Sequence, residues 1–217
     1  MVTTFACAAV LLDLDGVLVD SRQTVERIWE VWAAERGVDL ATILSGSHGE
    51  RTYDTIVRVA PHLDPAAETA LIDARELVAL DGLRAHDGAE RLVGALPTGA
   101  WAVVTSCSQA LATARLDHVG LRPPPVLITG DDVQRGKPDP QGYLLAAARL
   151  GAAPAGCLVI EDAHPGIAAA RAAGMRVLGL ATTHAPESLA GADAVAAGLW
   201  EVGLGPGWPV RLELRRA

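Results

Sequence analysis

Residues 8–16 read Ala-Ala-Val-Leu-Leu-Asp-Leu-Asp-Gly, a short apolar run that ends in two carboxylates and a glycine. A continuous apolar run of this length, stopped by a turn residue, predicts a buried strand. Such a strand is typical of a parallel sheet that helices cover on both faces. Asp13 and Asp15 then follow at its carboxyl end, the edge at which open α/β sheets bind their ligands.

Asp13 and Asp15 are expected to face one crevice, because residues two apart on a strand point the same way. This requires that the strand continues to Asp15. Burying two neighbouring carboxylates costs free energy unless something compensates, and Mg²⁺ is a common compensating ion because it prefers oxygen ligands. On spacing alone, the pair could equally be two surface aspartates that stabilise a turn.

The composition limits the classes of function. The chain has 217 residues, half of them hydrophobic, and a formal net charge of −8, which argues against nucleic acid or an anionic membrane surface as a partner. No apolar run approaches the length of a membrane span. Cys7, Cys107 and Cys157 lie in or beside apolar runs without metal-type spacing, which predicts small core residues in a reducing cytoplasm.

Lys137 is the only lysine among the 18 lysine and arginine residues of the chain. Lysine offers a compact point charge, whereas arginine offers a broad planar fork. We therefore expect Lys137 to occupy a position that needs the compact charge, although a lone exposed lysine is also ordinary.

The segment after the first strand has helical spacing and contains no strand-like run. Ser21 or Asp20 can cap its first helix, Gly37 ends that helix, and two further helices are predicted over residues 52–59 and 66–80. This segment is therefore predicted to be a helical insert that follows directly on the first strand.

Beyond the insert, strands and helices alternate, which predicts a parallel sheet covered on both faces. The predicted strands are 101–104, 126–129, 157–160 and 177–180, and the predicted helices are 89–96, 109–118, 138–150 and 165–173. The fold class is therefore α/β. Residues 210–214 alternate in polarity but are not assigned.

Polar side chains follow three of the predicted strands, and all should lie at the same sheet edge. They are Asp13 and Asp15, Thr105 and Ser106, and Glu161 and Asp162. Lys137 stands at the predicted start of a helix, where free N–H groups also favour anions. Carboxylates that hold a cation, beside hydroxyl, amide and ammonium groups that hold an oxyanion, together suit a phosphate group.

Four motifs in this order resemble those of the haloacid dehalogenase-like phosphohydrolases, over nearly the full chain. They are Asp-Leu-Asp-Gly-Val-Leu-Val-Asp-Ser from residue 13, Val-Val-Thr-Ser from 103, Gly-Lys-Pro-Asp-Pro from 136 and Ile-Glu-Asp-Ala from 160. The insert resembles the helical cap of the phosphoglucomutase and sugar-phosphatase branch. Residues 48–52 and 128–143 look most like glycerol-phosphate and 2-deoxyglucose-6-phosphate phosphatases.

The resemblance implies a Rossmann-like core formed by residues 1–19 and 86–217, a mobile helical cap formed by residues 20–85, and Mg²⁺ as cofactor. It implies that Asp13 attacks phosphorus and forms an aspartyl-phosphate. Asp15 would protonate the leaving oxygen and later deprotonate the attacking water. Lys137 would neutralise both the phosphate and the nucleophile.

The resemblance also implies a set of ligands. Mg²⁺ would be held by Asp13, the carbonyl of Asp15 and Asp162, with Glu161 acting through water. Thr105 or Ser106 would bind the transferring phosphoryl group, and the sequence leaves open which of the two does so.

His48 and Arg51 lie where the cap loop would face the site, so they are expected to contact substrate; the alternative is a solvated loop. Arg75 and Glu76, on a predicted cap helix, are expected to form an exposed ion pair. Val25 stands where the β-phosphoglucomutases carry a histidine, which weakens a mutase function. The usual phenylalanine before the nucleophile is replaced by Leu12, with little expected consequence.

These observations predict a Mg²⁺-dependent phosphatase, a phosphoric monoester hydrolase that acts on small sugar or polyol phosphates in the cytoplasm. The alternatives are a β-phosphoglucomutase-like phosphosugar mutase and a non-catalytic phosphometabolite-binding protein. The expected partner is a small phosphorylated metabolite, with neither nucleic acid nor membrane, and the chain could be a monomer or a homodimer.

Overall fold

The computed structural model describes residues 2–46, 48–207 and 209–215. Its strands are β1 (Val2–Cys7), β2 (Ala9–Leu12), β3 (Val19–Asp20), β4 (Arg84–Ala85), β5 (Trp101–Val104), β6 (Leu127–Ile128), β7 (Cys157–Glu161), β8 (Arg176–Leu180), β9 (Ala194–Ala196), β10 (Val202–Gly205) and β11 (Val210–Arg215). Its helices are α1 (Arg22–Arg36), α2 (Leu40–Leu44), α3 (Thr52–Val59), α4 (Pro65–Val78), α5 (Ala89–Ala95), α6 (Gln109–His118), α7 (Gln141–Arg149) and α8 (His164–Ala172).

The central sheet is parallel and has six strands in the order β6-β5-β2-β7-β8-β9. Side chains of β2 alternate between two apolar clusters, with Val10 and Leu12 in one and Ala9 and Leu11 in the other. The sheet is therefore buried on both faces, as the uninterrupted apolar run predicts. The α/β fold class is confirmed.

Helices α1–α4 form the insert, and they bury an apolar cluster of their own that includes Trp29, Trp32, Ile56 and Ile72. The predicted helix over 52–59 is present with the same bounds. The helical cap within a Rossmann-like core is thus confirmed, while the domain limits at residues 20 and 85 stay a prediction. The insert does not follow directly on the apolar strand: β3 intervenes and pairs antiparallel with β4, which closes the insert.

Strand β2 ends at Leu12, so the expectation that it continues to Asp15 is wrong. The chain turns instead, and the amides of Leu18 and Val19 both donate to the carbonyl of Leu14. Gly16 has a φ of 79°, a conformation that favours glycine. Asp13 and Asp15 therefore lie beyond the strand, at the turn that follows it, and both nevertheless line one cavity, as expected.

Helix α7 begins at Gln141, so Lys137 precedes the helix and does not stand at its start. Pro138 and Pro140 account for the difference, since the residue before a proline is disfavoured in the helical conformation.

The two ends of the described chain pair with each other. Strand β11 lies between β1 and β10 in an antiparallel sheet, which accounts for the unassigned alternation over residues 210–214. In the described part of the chain, no helix combines the length and apolarity that a membrane span requires.

Candidate active site

The carboxyl edge of the central sheet forms the floor of a cavity of about 490 Å³. Asp13, Asp15, Thr105 and Asp162 line this floor, and residues of the cap helices and their loops line the opposite wall. Asp13 follows β2, Thr105 follows β5 and Asp162 follows β7. The parallel topology thus brings together side chains that lie up to 149 positions apart in the sequence.

Asp13, Lys137 and Glu161 form a buried group that we call the core cluster. The Lys137 Nζ lies 2.5 Å from Asp13 Oδ1 and 2.6 Å from Glu161 Oε1. Tyr143 donates its hydroxyl to Glu161 Oε1 at 3.0 Å, and the amides of Asp162 and Ala163 donate to Glu161 Oε2. Lys137 lies behind Asp13 and is not among the residues that line the cavity. Its contact with the proposed nucleophile is present, while its contact with phosphate stays a prediction.

The electrostatics of this cluster follow from burial. Burial would lower the pKa of Lys137, but Asp13 and Glu161 hold that pKa well above its usual value. Burial raises the pKa of Asp13, an effect that Lys137 opposes. Burial and the charges of Glu161 and Asp13 raise the pKa of Asp162 well above its usual range. One ammonium therefore does not compensate all the carboxylates present.

Asp13, Glu161 and Asp162 fit a divalent cation. All three are buried, and one carboxylate oxygen from each lies within 4.8 Å of the others. Burial first, and the neighbouring carboxylates second, raise the pKa values of Asp13 and Asp162, and a hard cation would offset both effects. Both oxygens of Glu161 already accept hydrogen bonds from the protein, so Asp13 and Asp162 are the freer ligands. The Asp15 carboxylate does not belong to this group of ligand atoms.

Glycine is required twice beside these carboxylates. A Cβ at Gly16 would lie 2.0 Å from Asp162 Oδ2, and a Cβ at Gly166 would lie 1.6 Å from Glu161 Oε1. Both approaches are too close for any other residue, so the backbone itself packs against the acidic group.

The Asp15 carboxylate is held by a different set of donors. Its Oδ1 lies 2.6 Å from the Ser21 hydroxyl and 2.6 Å from Arg115 Nη1, and its Oδ2 lies 3.0 Å from Cys107 Sγ. Ser21 is the N-cap residue of α1, as predicted, but its side chain makes no capping hydrogen bond. The Ser21 hydroxyl is committed to Asp15, and Asp20 pairs with Arg84 at 3.4 Å.

Arg115 also contacts Glu76 of the cap, with 2.6 Å between Nη2 and Oε2. Asp15, Arg115 and Glu76 together form what we call the bridging cluster. Glu76 is 6% exposed and Arg115 is 2% exposed, so the expectation of an exposed pair between Arg75 and Glu76 is wrong. Adjacent residues of a helix point in different directions, and Arg75 pairs instead with Glu35 at 2.7 Å.

Thr105 and Ser106 both line the cavity but differ in their hydrogen bonds. The Thr105 hydroxyl accepts from the amide of Cys107 at 3.1 Å and also has the Cys107 thiol as a side-chain partner. Ser106 donates its hydroxyl to the carbonyl of Gly49, in the cap loop, at 2.8 Å. Thr105 is therefore the floor hydroxyl that is not committed to the cap.

His48 and Arg51 lie in the cavity wall, as the sequence predicts, and whether they contact substrate stays a prediction. The His48 ring packs edge-on against the His184 ring at 5.3 Å, and burial lowers the pKa of His48. Arg51 directs its guanidinium to Asp54 at 2.7 Å and to the carbonyls of residues 133 and 134, in the loop before Lys137. Both residues therefore join the cap to the core.

Arg115, Glu76 and Tyr143 are the site residues that sequence reasoning missed. A signal existed for two of them. Arg115 follows the buried Leu111 by four positions, and Glu76 follows the buried Ile72 by four. A charged residue on the apolar face of a helix indicates a buried partner.

A family model described as haloacid dehalogenase-like hydrolase matches residues 7–174. The chain is 39% identical over 177 residues to hexitol phosphatase A of Escherichia coli, across 79% of this chain and 82% of that protein. It is 34% identical over 188 residues to glycerol-1-phosphate phosphohydrolase 2 of Saccharomyces cerevisiae, across 81% of this chain and 75% of that protein.

Among solved structures, β-phosphoglucomutase from Clostridium difficile superimposes with a TM-score of 0.79, covering 89% of this chain and 92% of that one. Its 20% identity shows the fold alone. The predicted family is confirmed, and so is the predicted enzyme class, because the two relatives are named as enzymes that remove phosphate. The chain belongs to the haloacid dehalogenase-like hydrolase family.

Proposed function

We propose that this protein is a Mg²⁺-dependent phosphatase that hydrolyses small sugar or polyol monophosphates through an aspartyl-phosphate intermediate. The observation that carries the proposal is the core cluster, in which Asp13 lies on the cavity floor while Lys137 compensates its charge from behind. The names of the relatives support the substrate class, since they act on hexitol and glycerol phosphates.

In the first step, an Asp13 oxygen forms a bond to phosphorus as the P–O bond of the ester breaks. Asp15 gives its proton to the leaving oxygen, and the alcohol departs. In the second step, water attacks phosphorus and gives a proton to Asp15, the bond between phosphorus and Asp13 breaks, and inorganic phosphate leaves. Thr105 donates its hydroxyl to the phosphoryl oxygens.

The cofactor proposed is Mg²⁺. Asp13, Asp162 and the carbonyl of Asp15 would hold it, with Glu161 behind them acting through water. When bound, it supplies positive charge to the phosphoryl group.

The cavity wall supports a substrate that is uncharged beyond its phosphate. Among the described residues that line the cavity, the arginines are already paired: Arg22 with Glu26, Arg51 with Asp54 and Arg115 with Asp15. The wall also contains Glu50, Asp73 and Asp131. Hydroxyl-bearing substrates suit such a wall better than a second phosphate does, and the volume suits a small metabolite.

The alternatives have less support. Val25 lies in the cavity wall as an apolar residue, which offers a mutase no group for proton transfer there. A protein that only bound phosphometabolites would not need a nucleophile together with an acid. The three free cysteines support the proposed cytoplasmic location.

Phosphate release from a panel of polyol, pentose and hexose monophosphates, with Mg²⁺ and with chelator, tests the proposal. We expect release that chelator abolishes, concentrated on one or two small substrates. Isomerised hexose phosphate without free phosphate would make the protein a mutase. Tight binding of a sugar phosphate with no turnover would make it a binding protein.

A further inference from the structure

The Asp15 carboxylate is connected to the cap through one guanidinium. Arg115 Nη1 lies 2.6 Å from Asp15 Oδ1, and Arg115 Nη2 lies 2.6 Å from Glu76 Oε2. Arg115 belongs to α6 of the core, whereas Glu76 belongs to α4 of the cap. The two carboxylates therefore share a single buried cation across the boundary between core and cap.

The planar fork of arginine fixes where both carboxylates can lie. Each of the two terminal nitrogens contacts one carboxylate, so a shift of the guanidinium changes both contacts. Arg115 Nε is buried and has no hydrogen-bond partner in the described structure. Leaving a buried donor without a partner costs free energy. The side chain keeps this position because of its contacts with the two carboxylates, although Nε makes no hydrogen bond there.

The chain of contacts from Asp15 through Arg115 to Glu76 requires that the cap packs against the core. Glu76 reaches Arg115 because α4 packs on α6. Without Glu76, Arg115 would keep Asp15 and Cys107 as its polar partners, and nothing from the cap would restrain the fork. The other donors to Asp15 are Ser21 and Cys107, so Arg115 is the donor that joins it to Glu76 by an ion pair.

We propose that Arg115 is the positioning residue for Asp15, and that Glu76 makes this positioning depend on the seated cap. The inference rests on the proposed function, because it assumes that Asp15 gives the proton to the leaving oxygen. It concerns Arg115 and Glu76, to which the proposed mechanism gives no step.

The consequence is a dependence on the leaving group. An alkoxide is a strong base, so an alkyl phosphate needs a well-placed proton donor as its P–O bond breaks. The 4-nitrophenolate ion is a weak base and leaves without a proton. A misplaced Asp15 therefore slows the first kind of ester more than the second, whereas a general loss of folded enzyme slows both by the same factor.

The experiment measures kcat and KM for an alkyl phosphate from the panel and for 4-nitrophenyl phosphate. The variants are Arg115→Lys, which keeps the charge but loses the fork, and Glu76→Gln, which keeps the shape but loses the charge. The matched control is Glu35→Gln, which breaks the arginine–glutamate pair that Glu35 forms with Arg75 within the cap, outside the cavity lining. Thermal unfolding of each variant reports whether it is folded.

We expect Arg115→Lys to lower kcat/KM, which reports the first step, for the alkyl ester by about 10- to 100-fold more than for the aryl ester, since general acid catalysis contributes about 100- to 10,000-fold. Glu76→Gln should also lower kcat/KM more for the alkyl ester than for the aryl ester, by a smaller factor than Arg115→Lys does. Glu35→Gln should leave the ratio of the two esters unchanged.

The outcomes separate the two claims. If wild-type protein releases no phosphate from either ester, the proposed function fails and the inference fails with it. If wild type is active and Arg115→Lys lowers kcat/KM by the same factor for both esters, the inference alone is overturned, and Arg115 is structural. If Arg115→Lys does not fold, Glu76→Gln is the deciding variant. A ratio of kcat/KM between the two esters that stays at the wild-type value in Glu76→Gln overturns the inference.

Discussion

The core cluster and the bridging cluster have the same order of charges and lie in different places. In each, an aspartate of the same turn contacts a buried cation, and that cation contacts a buried glutamate. Lys137 and Glu161, the partners of Asp13, both belong to the core. Glu76, the last member of the bridging cluster, belongs to the cap.

The difference shows how one turn can support two roles. The described contacts of the group proposed as nucleophile come from the core, so they do not depend on the cap. The group proposed as acid and base is connected through Arg115 to a cap helix that lines the cavity. The cations differ accordingly: the compact lysine fits between two oxygens of the core, and the arginine fork spans the boundary.

The largest effect should come from removing the cation of the core cluster. Lys137→Met leaves Asp13 and Glu161 buried without a positive partner, and breaking a buried pair in this way costs about 3–5 kcal/mol in the free energy of unfolding. Phosphatase activity should be lost as well. Denaturant unfolding measures the first effect, and an unchanged midpoint would show that Lys137 does not compensate these carboxylates.

A second test removes the metal rather than the lysine. Mg²⁺ should raise the unfolding temperature of wild-type protein, since a ligand at 100 times its Kd stabilises by about 2.7 kcal/mol. Asp162→Asn should remove this stabilisation, because Asp162 is one of the two freer ligands. Glu76→Gln serves as the control from the bridging cluster and should keep the response to Mg²⁺. An equal response in Asp162→Asn would contradict the ligand assignment.

A smaller effect separates the two neighbouring hydroxyls on the cavity floor. Thr105→Val should lower kcat by about 100-fold, the effect of losing one donor to a transition-state oxygen. Ser106→Ala should cost less than about tenfold, because its hydroxyl is already committed to the cap loop at Gly49. Steady-state kinetics on the same substrate compare them, and the reverse order would assign the phosphoryl contact to Ser106.

The smallest effect concerns the charge of the cavity wall. A hexitol bisphosphate should be hydrolysed with a kcat/KM about tenfold or more below that of the monophosphate, because its second phosphate meets carboxylates and paired arginines. Asp73→Asn should reduce the difference in kcat/KM between the monophosphate and the bisphosphate, since it removes a carboxylate from the wall. A bisphosphate that wild type prefers would show that Arg22 or Arg51 exchanges its partner for the substrate.

The core cluster was predictable because the rules that assemble it are local and topological. An apolar run followed by a carboxylate marks Asp13 and Glu161 as strand ends, and parallel strands bring such ends together. Lys137 was marked by its being the only lysine. The spacing of residues did not predict that β2 ends at Leu12, because that end depends on the turn around Gly16.

The bridging cluster was not predicted because its contacts cross between elements far apart in the sequence. Arg115 and Glu76 are separated by 39 positions and lie on helices of different layers. The expectation of an Arg75–Glu76 pair relied on adjacency, whereas side chains four apart share a helix face. The pairing of β1 with β11 was missed for the same reason, since it joins the two ends of the chain.

The most direct test of the central claim is to trap the covalent intermediate. Wild-type protein is mixed with substrate and Mg²⁺, quenched in acid within one turnover and digested. The mass of the peptide that contains Asp13 is then measured by mass spectrometry. We predict that this peptide carries one phosphoryl group in wild type and none in Asp13→Asn, which should also lose at least about 1,000-fold in kcat. Full activity in Asp13→Asn, or a phosphoryl group on another residue, would contradict the account.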